Sequence, residues 1–172
     1  MEIDKSLLVE RSKQGDSHAF SQLYSLYSAD LFRFSVYMMG SVQDAEDAMQ
    51  EAVFSAWRNI HTLKDAQNFK SWLFKILSNR CKTDLMKKNK HSDTLPVEEY
   101  SFLVGENDFS FDSTELKEAL SSLTPPDGQI ILLSVIGGFK SDELAEIYGM
   151  PPSTIRSRQK RALEKLKALL KE

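Results

Sequence analysis

Residues 141–161 read SDELAEIYGMPPSTIRSRQKR, and the reading of this stretch decides the fold. Ala145 stands where two short helices must cross closely. Gly149 follows four residues later, where a tight turn needs positive φ, and Ile155 comes six further on, in position to pin the second helix to the first. Order and spacing are those of a helix-turn-helix. Ser153 is the expected side-chain cap of the second helix, and Arg156, Arg158, Lys160 and Arg161 crowd its first turns, where such a helix meets a duplex. The same residues also fit an amphipathic hairpin with a solvated basic face, and the density of cations favours DNA. With Ile155 at zero and about 100° per residue, Ala162, Leu163, Leu166, Leu169 and Leu170 share its side. Ser153, Ser157, Lys160 and Arg161 then point away from the core. The pair Pro151-Pro152 stiffens the turn ahead of the helix at little cost where φ is already near the proline value.

A net charge of -3 over 172 residues looks wrong for a DNA-binding chain until it is divided. Residues 1–91 carry 13 Lys and Arg against 11 Asp and Glu, residues 92–115 carry 0 against 7, and residues 116–172 carry 9 against 7. The acidity is one segment. Within residues 153–172 the count is 7 basic against 2 acidic, a local positive field of the kind phosphates select.

That acidic segment marks a boundary. From 91 to 113 (HSDTLPVEEYSFLVGENDFSFDS) no helical period survives, Pro96 and Gly105 interrupt it, and acids alternate with Tyr100, Phe102, Phe109 and Phe111. It reads as a linker over 92–114, either a passive tether or a segment that docks into a positively charged channel of a partner.

Upstream of it the pattern is helical throughout, so the fold class expected is all-α: two small helical domains, 1–91 and 115–172. Ile3, Leu7 and Leu8 open one helix ending near Gly15. Ser17 is the expected cap of another, carrying Phe20, Leu23, Tyr24 and Tyr27 and running with a break to Met39, where Gly40-Ser41 stops it. The next helix has a full apolar stripe at Ala45, Ala48, Met49, Ala52, Val53, Ala56 and Trp57. Opposite that stripe Asp44, Asp47, Glu51 and Arg58 align, with Phe54 beside them. Acids near a helix N-terminus suit the dipole without further reason, whereas an aromatic on an acidic face asks for a partner.

A further amphipathic helix spans about 68–90, with Phe69, Trp72, Leu73, Ile76 and Leu77 as its expected buried stripe. Lys75, Ser78, Asn79 and Lys82 lie away from it. A solvated face is the ordinary outcome, but a polar-basic face beside aromatics also suits single-stranded DNA, whose phosphates take the charge and whose bases take an aromatic or an amide. The loop 60–67 (IHTLKDAQ) offers one wall of a base pocket.

Other classes find little support. No apolar run approaches the roughly 18 residues of a membrane span, and the N-terminus opens on charge, so a cytoplasmic protein is expected. Cys81 is the single cysteine, and His18, His61 and His91 lie too far apart in sequence to suggest a metal cluster. Neither a Gly-rich phosphate loop nor a nucleophile-base motif appears, so no cofactor and no catalytic activity are expected.

Taken together, these residues resemble the extracytoplasmic-function (ECF) group of bacterial RNA polymerase sigma factors, of the sigma-70 family. DAEDAMQEAVFSAW (44–57) is similar to the family's region 2 polymerase-binding helix. FKSWLFKILSNRCKTDLMKK (69–88) is similar to its promoter-melting and minus-10 helix, and 123–170 to region 4. The resemblance implies that Asp44, Glu46, Asp47, Gln50 and Glu51 meet the clamp helices of core RNA polymerase. It implies that Phe69, Trp72, Asn79 and Lys82 hold the opened minus-10 strand, with Asn79 near the captured base. Arg156, Ser157 and Arg161 would meet the minus-35 element of promoter DNA, with Thr154 and Arg158 on backbone phosphates, and Ser153 and Lys160 on the same face. Core polymerase, through clamp helices and flap, and promoter DNA are the implied partners. Many relatives are held inactive by an anti-sigma factor, so one is an expectation here too. A stand-alone helix-turn-helix regulator that dimerises and binds duplex unaided is the alternative. Three departures stand out: Ser78 where the family usually has arginine, Gly128 and Ser134 where region 4 commonly has arginines, and Thr124 in place of a proline.

Overall fold

The computed structural model describes residues 4–91 and 114–170, so the expected linker lies outside the described residues apart from Thr114, which opens a helix. Among the described residues the fold is all-α: α1 (Lys5–Lys13), α2 (Ser17–Ser25), α3 (Ser28–Met39), α4 (Val42–Asn59), α5 (Phe69–His91), α6 (Thr114–Ser121), α7 (Pro125–Val135), α8 (Ser141–Tyr148) and α9 (Pro152–Leu169). Two 3-10 turns, Ile60–Thr62 and Ala66–Asn68, lie between α4 and α5.

Local chemistry sets these boundaries. Asp4 accepts from the Leu7 amide to start α1. At α2 the cap is Asp16 rather than the expected Ser17: its carboxylate accepts from the His18 and Ala19 amides, at 3.0 Å each, and holds Arg11 at 2.7 Å. An anion satisfies two orphan amides and the helix dipole together, which a serine hydroxyl cannot. The Ala19 amide first, and then Arg11, keep the Asp16 carboxyl below the usual carboxylate range. The break expected in the following run falls at Leu26-Tyr27. Gly40 closes α3 at φ 67, a value that favours glycine, and Ser41 caps α4.

Small residues on α4 let its neighbours approach. Ala45, Ala48, Ala52 and Ala56 are buried with Met49 against α3 and α5, while Val53 and Trp57 are half-buried. α5 departs from expectation. Phe69, Leu73 and Leu77 are buried, but Trp72 and Ile76 are only half-buried, and Phe74, Ser78 and Cys81 form a second buried face at spacings of four and three.

The C-terminal helices cover that second face. Phe139 meets Phe74 edge to face with centroids 4.8 Å apart, the Lys70 ammonium lies 4.2 Å from the Phe139 centroid and donates to the Gly137 carbonyl, and Lys82 sits 5.0 Å from the Tyr148 ring centre. α7 is buried from Gly128 to Leu133 because it lies between the two units. Ile130, Leu132 and Leu133 join the N-terminal core, and Ile131 joins a cluster with Ala119, Leu120, Leu123, Ala162 and Leu166. At Gly128 an added Cβ would fall on the Tyr37 hydroxyl, so the missing side chain at 128 leaves room for Tyr37 where α3 meets α7. Burial pushes the Tyr37 hydroxyl up to about 12. The two units thus pack on one another through a shared core.

Cys81 gives a direct check on that core. It is fully buried, and burial pushes its thiol up to about 12 from an ordinary 9. Keeping it neutral stabilises the fold fully below pH 9, and this contribution is lost as the pH rises towards 12, because the unfolded chain ionises first. At pH 8 the native thiol is expected to resist a disulfide reagent such as dithionitrobenzoate and to react at once when the chain is unfolded in guanidinium. A native rate equal to the denatured one would place Cys81 outside the core.

Candidate nucleic-acid interface

The three marks of the helix-turn-helix fall where the sequence places them. Ala145 is buried at the crossing, Gly149 takes φ 64 with its amide on the Ala145 carbonyl, and Ile155 is fully buried. The expected cap is corrected. Ser153 does not cap α9: Pro151, at φ -60 and ψ 144, precedes the helix, and its carbonyl accepts from the Thr154 and Ile155 amides at 2.9 and 3.1 Å. Pro152 takes the first helical position, where no amide is needed, and so starts the helix ahead of Ser153. The Ser153 carbonyl instead accepts from the Ser157 hydroxyl at 2.9 Å.

Gln159, which the sequence reading did not single out, fixes the orientation of α9. Its carbonyl accepts from Ser141 at 3.0 Å, and its amide donates to Ser134 at 2.6 Å, lacing α8 and α7 to α9. On the outside, Ser153, Arg156, Ser157, Lys160 and Arg161 are all exposed. Thr154 is half-buried. Arg158 turns inward to Asp127 at 2.8 Å, with its Nε buried and unpartnered, so in this arrangement it joins α9 to α7 instead of facing a phosphate. The apolar side is covered only at Ile155, Ala162 and Leu166, and Leu163, Leu169 and Leu170 remain exposed.

On α5, Asn79 and Lys82 are exposed, and partial burial lowers the Lys82 pKa below the ordinary lysine value. Trp72 is half-buried, but Phe69 is 2% exposed, boxed in by Phe20, Tyr27 and Trp72 at centroid distances of 6.0 to 6.4 Å. Phe69 therefore has no surface to offer a strand here, and holds Trp72 in place. A cavity of about 240 Å³ lies under the loop, lined by Leu63, Asp65, Asn68, Trp72 and Lys75, and Glu146 and Ile147 of α8 line it as well.

On α4 the acidic residues divide. Asp44 pairs with Lys88, and Glu51 lies 3.5 Å from Arg80, whose pKa is raised chiefly by its hydrogen bond to Asp84. Glu46, Asp47 and Gln50 are exposed and have no polar partner among the described residues. Phe54, 59% exposed, completes this face, and Arg58 lies 5.6 Å from its ring centre. Beside it an open groove of about 780 Å³ runs along Phe20, Tyr24, Met49, Val53 and Trp57, which no sequence signal marked. Among the described residues there is no metal-binding group of His, Cys, Asp and Glu, and no helix long and apolar enough to cross a membrane.

Comparison with known proteins gives this arrangement its class. Residues 23–91 match Sigma-70 region 2, and residues 113–166 match Sigma-70 region 4. The RNA polymerase sigma factor SigV of Bacillus subtilis (strain 168) is 30% identical over 84% of this chain and 86% of that protein. The ECF RNA polymerase sigma factor SigW of the same organism is 28% identical over 95% of both. Among solved structures, the sigma factor RpoE from Bartonella quintana, in complex with the anti-sigma factor NepR, has a TM-score of 0.75 at 30% identity, covering 88% of this chain and 96% of that one. CnrH, solved with the cytosolic domain of CnrY, shares the fold at a TM-score of 0.71 and 20% identity, over 97% of both chains. Two regions matched in this order define a sigma-70 type transcription initiation factor. Within that class the chain belongs to the extracytoplasmic-function group of RNA polymerase sigma factors, and it directs promoter-specific transcription initiation.

Proposed function

We propose that the chain acts as a promoter-specificity subunit with three working surfaces: α4 on the polymerase clamp helices, α5 with the loop 60–67 on the opened minus-10 strand, and α9 on the minus-35 element. The observation that carries this reading is the exposed row Ser153, Arg156, Ser157, Lys160 and Arg161 on a helix fixed from behind by Gln159. Such a row suits the major groove, where an arginine can reach a guanine edge with two hydrogen bonds. Strand opening needs no catalytic group, since unstacking a base costs a few kcal/mol and capture in a pocket offsets it. The chain is accordingly read as cytoplasmic, non-enzymatic and without a cofactor. Attachment to the polymerase flap rests on family membership alone. An anti-sigma factor is proposed as a further partner, because RpoE, at 30% identity, is solved in complex with NepR.

Arg161→Ala is the test. It is expected to cost about 1–3 kcal/mol of discrimination at one base of the minus-35 element while leaving affinity for core polymerase unchanged. Transcription from templates with randomised minus-35 segments reads the effect. A variant that selects the same sequences as the parent would show that this register of α9 in the groove is wrong.

A further inference from the structure

The row of α5 residues that lines the loop cavity does not end there. Trp72 and Lys75 lead at spacings of four into Ile76 and Asn79, and Asn79 into Thr83, which line a second recess of about 630 Å³ between α5 and α4. Phe54 and Arg58 of α4 supply its other wall. Three features meet in it: an exposed aromatic ring, a guanidinium lying 5.6 Å from the ring centre, and the Asn79 side-chain amide, which makes no hydrogen bond among the described residues. Glu51 also lines the recess, but its carboxylate lies 3.5 Å from Arg80, which partly offsets the charge.

We propose that Phe54, Arg58 and Asn79 form a nucleotide-binding recess, separate from the cavity under the loop, in which one unpaired base of the promoter strand stacks on Phe54. The inference rests on the reading that α5 holds the opened minus-10 strand, and it extends that strand's path onto α4. The ring offers a π-face that any base can use, the guanidinium takes a phosphate, and the amide reads a base edge. A protein partner would find the acidic residues of α4 more useful than this corner, where Arg58 supplies a cation and Arg80 is already paired with Asp84 and Glu51. An unpaired nucleotide needs the aromatic plane, cation and amide together.

The test uses holoenzyme assembled from the full chain and core RNA polymerase. A pool of duplexes with a randomised unpaired segment first yields a bound sequence, and a single abasic site is then moved through its unpaired strand. For the parent, one position is expected to lose roughly five- to a hundredfold in affinity when its base is removed. Phe54→Ala is expected to show that loss on intact DNA and to lose nothing further at that position, while responding elsewhere as the parent does. Phe54→Tyr keeps the ring and should behave as the parent. Independent, multiplying losses at every position would overturn the proposal, and so would a Phe54→Ala variant whose defect is weaker binding to core polymerase without DNA. If the parent holoenzyme selects no unpaired sequence at all, strand capture by α5 is itself wrong, and that failure appears before any variant is compared.

Discussion

Asp47→Lys is expected to abolish association with core RNA polymerase while leaving thermal stability within about 0.5 kcal/mol of the parent. Asp47 is exposed and has no polar partner among the described residues, so its charge contributes little to the fold. Its neighbours are less clean probes. Reversing Glu51 would place a lysine against Arg80, and reversing Asp44 would break its pair with Lys88, each a surface ion pair worth up to about 1 kcal/mol. At an interface the same charge acts differently. Setting like charges against each other across a desolvated contact costs several kcal/mol, and a loss of 2–5 kcal/mol is roughly thirty- to several-thousandfold in affinity. Fluorescence anisotropy of the labelled chain titrated with core polymerase measures one quantity, and thermal denaturation the other. A large drop in melting temperature with polymerase binding preserved would make the acidic face a structural feature.

What was legible in the sequence was local. Ala145, Gly149 and Ile155 state a helix-turn-helix because a close crossing, a left-handed turn and a pinning contact all arise within 11 residues. Likewise the α4 stripe follows from its 3.6-residue period. The misread helix starts were also local, and they turned on competition between adjacent candidates: Asp16 wins over Ser17 through charge, and Pro152 starts α9 ahead of Ser153. Distant contacts were hidden. Arg158 pairs with Asp127 across 31 residues, and on the second buried face of α5 Phe74 meets both Phe34 of α3 and Phe139, which arrives from beyond the acidic segment. An amphipathic reading of α5 alone sees one stripe, so Phe74 and Cys81 could not be assigned to the core, nor Phe69 withdrawn from the candidate surface. The departures at Ser78 and Gly128 acquire a physical sense in the fold. Both are small residues at buried positions, and an arginine at either would have to emerge through packed side chains.

Gly128→Arg is therefore expected to separate the two units. A Cβ at 128 already meets the Tyr37 hydroxyl and lies 3.0 Å from its Cζ, so a longer side chain must either displace the Tyr37 ring or push α7 away from α3. Overfilling a packed contact costs about 1–3 kcal/mol, and here the strain can be relieved by moving one unit instead of unfolding either. The consequences reach the proposed strand surfaces. In the closed arrangement Lys82 is engaged by the Tyr148 ring, Lys70 by Phe139 and Gly137, and the loop cavity is bounded by Glu146 and Ile147. Opening releases all of them, so the variant is expected to scatter X-rays with a larger radius of gyration and to bind unpaired DNA more tightly than the parent. Tyr37 reports the same event. Burial holds its hydroxyl at about 12, so the stability gained by keeping it neutral is full below pH 10 and lost as the pH rises towards 12. In the opened variant its ultraviolet titration should fall back towards 10. Gly128→Ala supplies the internal control, because the first atom its Cβ meets is the Tyr37 oxygen: any opening the alanine causes should be largely reversed by adding Tyr37→Phe, which removes that atom and leaves only the 3.0 Å approach to the ring carbon. Unchanged scattering and an unchanged tyrosine titration in Gly128→Arg would mean that α7 accommodates the side chain without leaving α3, and that this contact does not hold the two units together.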